Sequence, residues 1–392
     1  MPKMSGALEG RPRDALICGL LLALGLMLVL PHFWEGIEWN TDALFYQAQT
    51  QELRGESRFE ALHQVFTSSR ADLVNAIERN TPPQLQRIDN PRWVEYSSRF
   101  YRRRWTVPLL AAAMTPLAGT SSLEYVSLIG LALIAPLIYV LLRIRFSPSI
   151  SVVVAVFCEL LPPLIALTHP NTDSWGLALL IVALIIALRV LAGGRKWLPL
   201  WAIVILALSF TRDETIVAIT AVAWLAFSQR SRLMLVTTVT GVVAALPAPL
   251  LFSVPVRDNV AYVLNEFRIP SQTSWSAILT KYPEAVASLL KLDLRYPLET
   301  AVPELTFAMG VIVLMGLSML FIAPRRGGSL PTLARGSLFG AAATILVSVN
   351  YSALRLELAF IPAVAVGIAL LLEMVLERAR RYLPAGEETA RV

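Results

Sequence analysis

The sequence predicts an all-α fold, a polytopic transmembrane helical bundle of about ten spans, and three observations carry that expectation. Of 392 residues, 56% are apolar and only 16% charged, and the mean hydropathy is +0.60. An ordinary soluble domain carries about 25% charged residues. The apolar residues fall into blocks of about 20, the length that crosses a hydrocarbon core at 1.5 Å per residue. Short basic connections separate the blocks and alternate as orientation in a bilayer requires. The whole of 1–392 reads as one membrane domain, with a first outer loop over 34–104 and a second outer segment over 255–300.

The first apolar run, about Ala15 to Phe33, lacks a small-residue cleavage site and is long for a signal core, so it reads as a retained helix. The first outer loop carries amphipathic helical patterns. Leu44, Phe45 and Ala48 share a face with Leu53, and Phe59, Leu62, Phe66, Leu73 and Ile77 do so further on. Thr81-Pro82-Pro83 then breaks the helix. Trp105 to Leu117 is too short to span and would invert the charge pattern downstream, so it is expected to be re-entrant or interfacial. Its flank of Arg99, Tyr101, Arg102, Arg103 and Arg104 suits a headgroup layer.

Further blocks run over Leu123 to Leu142, Ser149 to Leu167, Ser174 to Leu191, Leu198 to Phe210, Thr215 to Phe227 and Leu233 to Val254. Ala301 to Ile322, Ser337 to Val349 and Leu356 to Leu376 complete the set. With a cytoplasmic N-terminus, the inner connections hold Arg143 and Arg145, Arg195 and Lys196, Arg230 and Arg232, Arg325, Arg326 and Arg335, and a basic end at Arg378, Arg380 and Arg381. The outer turns are correspondingly poor in Lys and Arg. Both termini are therefore expected in the cytoplasm and the protein in the inner, cytoplasmic membrane. The formal charge of +6 belongs to these connections and does not call for a nucleic-acid partner. Cys18 and Cys158 each lie within an apolar block, which excludes a disulfide framework or cysteine metal cluster.

An acidic side chain near a membrane needs water or a purpose, because a charge at the bilayer centre costs roughly 2.5 to 3.5 kcal/mol. Asp42, Asp173 and Asp213 with Glu214 lie on one outer face. For Asp173 and Asp213 the favoured plain explanation is an N-cap at the positive end of a helix dipole. Asp42 stands among Trp34, Trp39, Phe45 and Tyr46 and is equally open to capping and to proton transfer. A helix through Tyr96 to Arg104 would put Arg99 and Arg103 on one face, able to bond a phosphate; a lipid-headgroup cluster is the alternative. Arg355, an outer cation against the orientation rule, either pairs with an acid, binds an anion or snorkels. No P-loop, dinucleotide turn, HExxH or GxSxG motif is present.

The stretch Asp42-Ala43-Leu44-Phe45-Tyr46-Gln47-Ala48-Gln49-Thr50-Gln51-Glu52-Leu53-Arg54-Gly55 resembles the first-loop motif of the C-type membrane glycosyltransferases, the GT-C superfamily. Tyr101-Arg102-Arg103-Arg104-Trp105-Thr106-Val107-Pro108-Leu109-Leu110 is similar to that family's Arg-rich interfacial helix. Thr172-Asp173-Ser174 matches its second acidic loop, and Leu208-Ser209-Phe210-Thr211-Arg212-Asp213-Glu214 its Thr-Arg-Glu-type turn. Arg355 with Pro362 is similar to its last helix.

The resemblance implies a polyprenyl-phosphate sugar donor, membrane lipid as surroundings, and a glycan, lipid or protein acceptor, with inversion at the anomeric carbon. It implies Asp42 as general base, Arg99, Arg103 or Arg355 neutralising the lipid phosphate, and Asp173, Asp213 and Glu214 in substrate binding. Asp42 is followed by Ala43 where many members carry a second acid, leaving Glu35 and Glu38 as near companions. A divalent cation is thus the one cofactor candidate, and no metal ligand is assigned. Two other functions fit the composition. One is a transporter or lipid flippase using Glu159 within its apolar block beside Pro162-Pro163; the other is an inert subunit of an envelope-assembly complex.

Overall fold

The computed structural model describes residues 12–35, 41–68, 90–161, 164, 171–252, 254, 256–265, 268–271, 274–283, 303–322, 328–347 and 358–382. Among these residues every regular element is helical and no strand occurs. In chain order they are α1 (Pro12–Glu35), α2 (Thr41–Leu53), α3 (Arg58–Ser68), α4 (Pro91–Tyr101), α5 (Thr106–Ala118), α6 (Ser122–Ala132), α7 (Ile134–Arg143) and α8 (Pro148–Glu159). Then come α9 (Asp173–Gly193), α10 (Leu198–Ser209), α11 (Thr215–Gln229), α12 (Arg232–Ala245), α13 (Pro247–Leu251) and α14 (Val256–Leu264). A helix over 275–283, α15, precedes α16 (Pro303–Ile322), α17 (Ser329–Val347) and α18 (Ile361–Tyr382).

Five stretches are long and apolar enough to cross a membrane: Pro12–Pro31, Thr106–Arg143, Asp173–Gly193, Arg232–Leu251 and Leu358–Arg381. Pro148–Glu159, Thr215–Gln229 and Ala308–Ile322 are shorter apolar helices. By length and apolarity these helices suit a membrane. Their outward faces match, for Leu16, Leu20 and Met27 of α1 and Leu235, Val239 and Val243 of α12 stay exposed where a soluble fold would bury them.

The stretch Thr106–Arg143 is not one rod. Gly119 takes φ +60°, which suits glycine, and a short 3₁₀ turn reverses the chain between α5 and α6. Thr115 Oγ1 lies 3.2 Å from Ser122 Oγ, and Val107 and Ala111 pack against Leu123 and Val126. A separate short helix therefore forms where the sequence predicts one, and its Leu109, Leu110 and Leu117 face outward.

Close backbone approach holds the bundle together. Gly336 and Gly340, one helical turn apart on α17, lie over α11; added Cβ atoms would come within 2.8 Å of Ala221 Cα and 2.7 Å of Val217 Cα. Lipid removes most of the hydrophobic drive between helices, so packing of this small-xxx-small kind takes its place. At the end of the bundle holding Arg143 and Arg145, Asp14 of α1 accepts hydrogen bonds from Tyr139 and from Arg143 Nε at 3.1 Å. Arg145 pairs with Glu373 of α18 at 3.0 Å. Glu159, the last residue of α8, is 4% exposed and packs against Gly25 of α1.

Several boundaries differ from expectation: the block Leu123 to Leu142 divides into α6 and α7, and the block Leu233 to Val254 into α12 and α13. α17 begins at Ser329, not Ser337, because Ser329-Leu330-Pro331 places its proline in the first turn, where a missing N–H costs nothing. α8 stops at Glu159, short of Leu167.

Candidate functional site

The site is assembled by α2 and the turn between α4 and α5 closing over the start of α9 and the end of α10. α2 was expected to be amphipathic, but Ala43 through Thr50 are all buried. α3 and α4 pack on one side of it, and α5 and α6 on the side that holds Tyr46. Phe45 stacks on Tyr101 with ring centroids 4.5 Å apart and also meets Phe66 at 5.0 Å and Trp93 at 6.0 Å. On α3 the buried face is Ala61, Val65 and Phe66, whereas Phe59 is 79% exposed and stacks on His63. The expected continuation to Leu73 and Ile77 lies outside the described residues.

α4 is well specified. Pro91 opens it, and Asn90 Oδ1 accepts from Arg92 N at 3.1 Å and Trp93 N at 3.4 Å. It ends at Tyr101, and Arg104 N turns back to Tyr101 O at 2.8 Å. Arg99 and Arg103 therefore do not share a helical face, contrary to the sequence expectation. Arg99 is exposed and lies over the Tyr96 ring at 4.3 Å. Arg103 folds inward and pairs with Asp213. The turn is fixed from below, where Thr106 N bonds Phe210 O at 3.2 Å and Thr106 Oγ1 bonds Ala207 O at 2.8 Å.

Three linked stations result. Tyr101 Oη donates to Asp42 Oδ1 at 2.6 Å. Arg104 lies over the Tyr101 ring at 5.5 Å and donates to Tyr46 Oη, which also accepts from Thr172 Oγ1 at 3.3 Å. Arg103 with Asp213, and the buried pair Arg212 with Asp173, complete the set. Gly176 of α9 leaves room for the last pair, since a Cβ there would lie 3.0 Å from Arg212 Cγ and 3.2 Å from Glu214 Oε2.

The capping explanation for Asp173 and Asp213 is not what the geometry shows. Asn171 Oδ1 receives the backbone N–H of Asp173 at 2.8 Å and of Ser174 at 3.4 Å, so Asn171 serves the start of α9. Asp173 and Asp213 instead face arginines. Glu214 precedes α11 without a side-chain capping bond.

Burial alone would push the Asp213 carboxyl up, but the cations of Arg103 and then Arg104 hold it below the usual aspartate range. Burial pushes Glu214 up, only partly offset by Arg212. Tyr101 is held well above an ordinary phenol by burial and then by the charge of Asp42, so it remains a donor. Burial works against the Arg104 charge, yet the surrounding Tyr46, Asp213, Tyr101 and Asp42 outweigh it and hold that pKa above the ordinary value. Its Nε is a buried donor without a hydrogen-bond partner.

Among the described residues no three His, Cys, Asp or Glu side chains gather as ligands for a metal. Asp173 and Asp213 are each bound to an arginine, so these two acids present no site for the divalent cation considered from the sequence. Arg355, Glu38 and the side chain of Glu35 lie outside the described residues.

The structure thus brings Asp42, Arg103, Asp173, Asp213 and Glu214 to one end of the bundle, leaves Arg99 outside, and adds Tyr46, Tyr101, Arg104, Asn171 and Arg212. Arg104 and Tyr101 were visible in the basic run. Nothing local marks Tyr46, whose partner Thr172 is 126 residues away. The sequence matches no family model and no curated protein.

Proposed function

We propose that this chain is an integral-membrane glycosyltransferase of the GT-C type, with about ten spans and its site on the outer face of the cytoplasmic membrane. It moves a hexosyl or pentosyl unit from a polyprenyl-phosphate donor to an acceptor hydroxyl on a glycan, lipid or protein, with inversion. The observation that carries this reading is that Tyr101 touches both a carboxylate and a buried cation, bonding Asp42 with its hydroxyl and meeting Arg104 with its ring.

Asp42 takes the proton of the acceptor hydroxyl as that oxygen bonds the anomeric carbon. The bond from that carbon to the lipid phosphate breaks, and the leaving phosphate needs charge neutralisation more than a proton. Arg103 and Arg104, with the partnerless Nε of Arg104, supply it. Asp213 holds Arg103 in place, and the Arg212 and Asp173 pair fixes the turn beneath. Charge gathered at one end of the helices favours transfer over transport, which calls for groups near mid-bundle.

The test is transfer of radiolabelled sugar from polyprenyl-phosphate donors in membranes holding wild type or Asp42→Asn at matched expression. Transfer lost in the variant supports the reading. Transfer equal in both removes Asp42 from the chemistry, and no transfer with any donor supports a transporter or an inert subunit.

A further inference from the structure

A second polar site lies between α2, α3 and α4. It is an open cleft of about 290 Å³, solvent included, with Tyr101, Gln49, Glu52, Arg58, Ser98 and Arg102 among its lining residues. The helices fix its walls. Phe45, Ala48, Gln49 and Glu52 fall on one face of α2 at helical spacing, and Arg58 at the start of α3 donates to Ser98 Oγ on α4.

Two features of this cleft are unexplained by the fold alone. Arg58 and Arg102 line the same cleft, and next to burial the Arg102 charge is the largest influence lowering the pKa of Arg58, with Arg99 adding to it and Glu52 and Glu95 opposing it. Folding rarely spends stability on crowding like charges unless an anion joins them. Gln49 is 7% exposed and gives its amide N–H to Arg102 O at 3.2 Å, while its Oε1, an acceptor, is buried without a partner. An unmet acceptor of this kind calls for a hydroxyl or another donor.

We propose that the cleft binds an oxyanion that also carries a hydroxyl, a phosphate group above all, held by the guanidinium groups of Arg58 and Arg102 and by Gln49 Oε1. Monohydrogen phosphate has both features, and so does a phosphorylated sugar. The site does not depend on the transfer reading, since it is defined by its own residues. It touches that reading at Tyr101, whose ring lines the cleft and whose hydroxyl bonds Asp42. An occupant therefore sits one side chain away from the proposed base.

The probe is inorganic phosphate, followed by ³¹P NMR line broadening on the full chain in nanodiscs of phosphatidylcholine. Wild type is expected to broaden the line saturably in the millimolar range, and Arg58→Gln with Arg102→Gln to abolish the effect. Arg99→Gln, which leaves the cleft intact, is expected to keep it. Gln49→Glu, a near-isosteric change that adds a negative charge, is expected to weaken binding at least about tenfold, as an added like charge beside the anion costs over 1.4 kcal/mol. Size-exclusion elution at the wild-type position shows that each variant is folded.

Nanodiscs containing phosphatidylglycerol separate the two sources of phosphate. Suppressed broadening identifies a lipid headgroup as the occupant, and unchanged broadening identifies a free or sugar-borne phosphate. No saturable broadening by wild type overturns the proposal, as does equal broadening by the double variant or by Gln49→Glu. None of these outcomes depends on whether sugar transfer is observed, so the two readings fail separately.

Discussion

Tyr101, the last residue of α4, donates its phenolic proton to Asp42 Oδ1 across 2.6 Å and so joins the basic run to a helix 59 residues earlier. Stacking on Phe45 and an edge contact with Tyr46 hold the ring in that orientation. The bond fixes one oxygen of the proposed base.

Tyr101→Phe keeps both ring contacts and deletes the bond. A hydrogen bond to a charged group contributes about 1.5 to 3 kcal/mol, so transfer should fall roughly 10- to 100-fold. Initial rates at saturating donor and equal protein check this. Unchanged specific activity with reduced abundance would leave the hydroxyl a purely structural role.

Arg212 and Asp173 form a buried pair, with side chains only 7% and 2% exposed. Removing one partner strands a charge and should cost about 3 to 5 kcal/mol. Arg212→Ala is therefore expected to lower the unfolding midpoint more than the double variant Arg212→Ala with Asp173→Ala. Strictly additive losses in detergent unfolding would show that the pair is not coupled.

Glu214 carries a carboxyl whose pKa burial has raised in the folded state. A raised folded value means that the folded protein binds this proton more tightly than the unfolded chain. Its stabilising contribution is complete below the ordinary glutamate range and is lost as pH rises through the raised value. Glu214→Gln removes the titration, so wild type should lose stability relative to the variant as pH rises above the ordinary glutamate range. Parallel midpoint curves for the two proteins would contradict this.

Gly340→Leu should disrupt the crossing of α17 on α11, where even a Cβ meets Val217 Cα at 2.7 Å. The expected loss is about 1 to 3 kcal/mol or more. Gly19→Leu, on a face of α1 with nothing within 4 Å of an added Cβ, should change stability by less than about 0.5 kcal/mol. Equal midpoints for both variants would refute the close-packing account.

The helices were legible because their signals are local. Block length and apolarity predicted α1, α9 and α11 within a few residues, and the shortness of the run Trp105 to Leu117 marked α5 as a separate helix. Amphipathic periodicity misled at α2, where α3 and α4 on one side and α5 and α6 on the other bury Ala43 through Thr50, and at Phe59, which the fold leaves outside. The acids were legible as positions and not as roles. Asn171, given no role from the sequence, caps the start of α9, while Asp173, expected as the cap, carries an ion pair.

The sequence by itself determined an all-helical chain rich in apolar blocks and the gathering of acids and arginines into a few short connections, because helix length, hydropathy and turn chemistry are written in consecutive residues. Only the tertiary structure decided which charges meet. Arg103 reaches Asp213 across 110 residues, Tyr46 receives Thr172 across 126, and Arg99, four residues from Arg103, is left outside. The reason is that α4 ends at Tyr101 and α5 is pinned to α10 by Thr106, and residues beyond a helix end no longer follow the spacing that puts i and i+4 on one face.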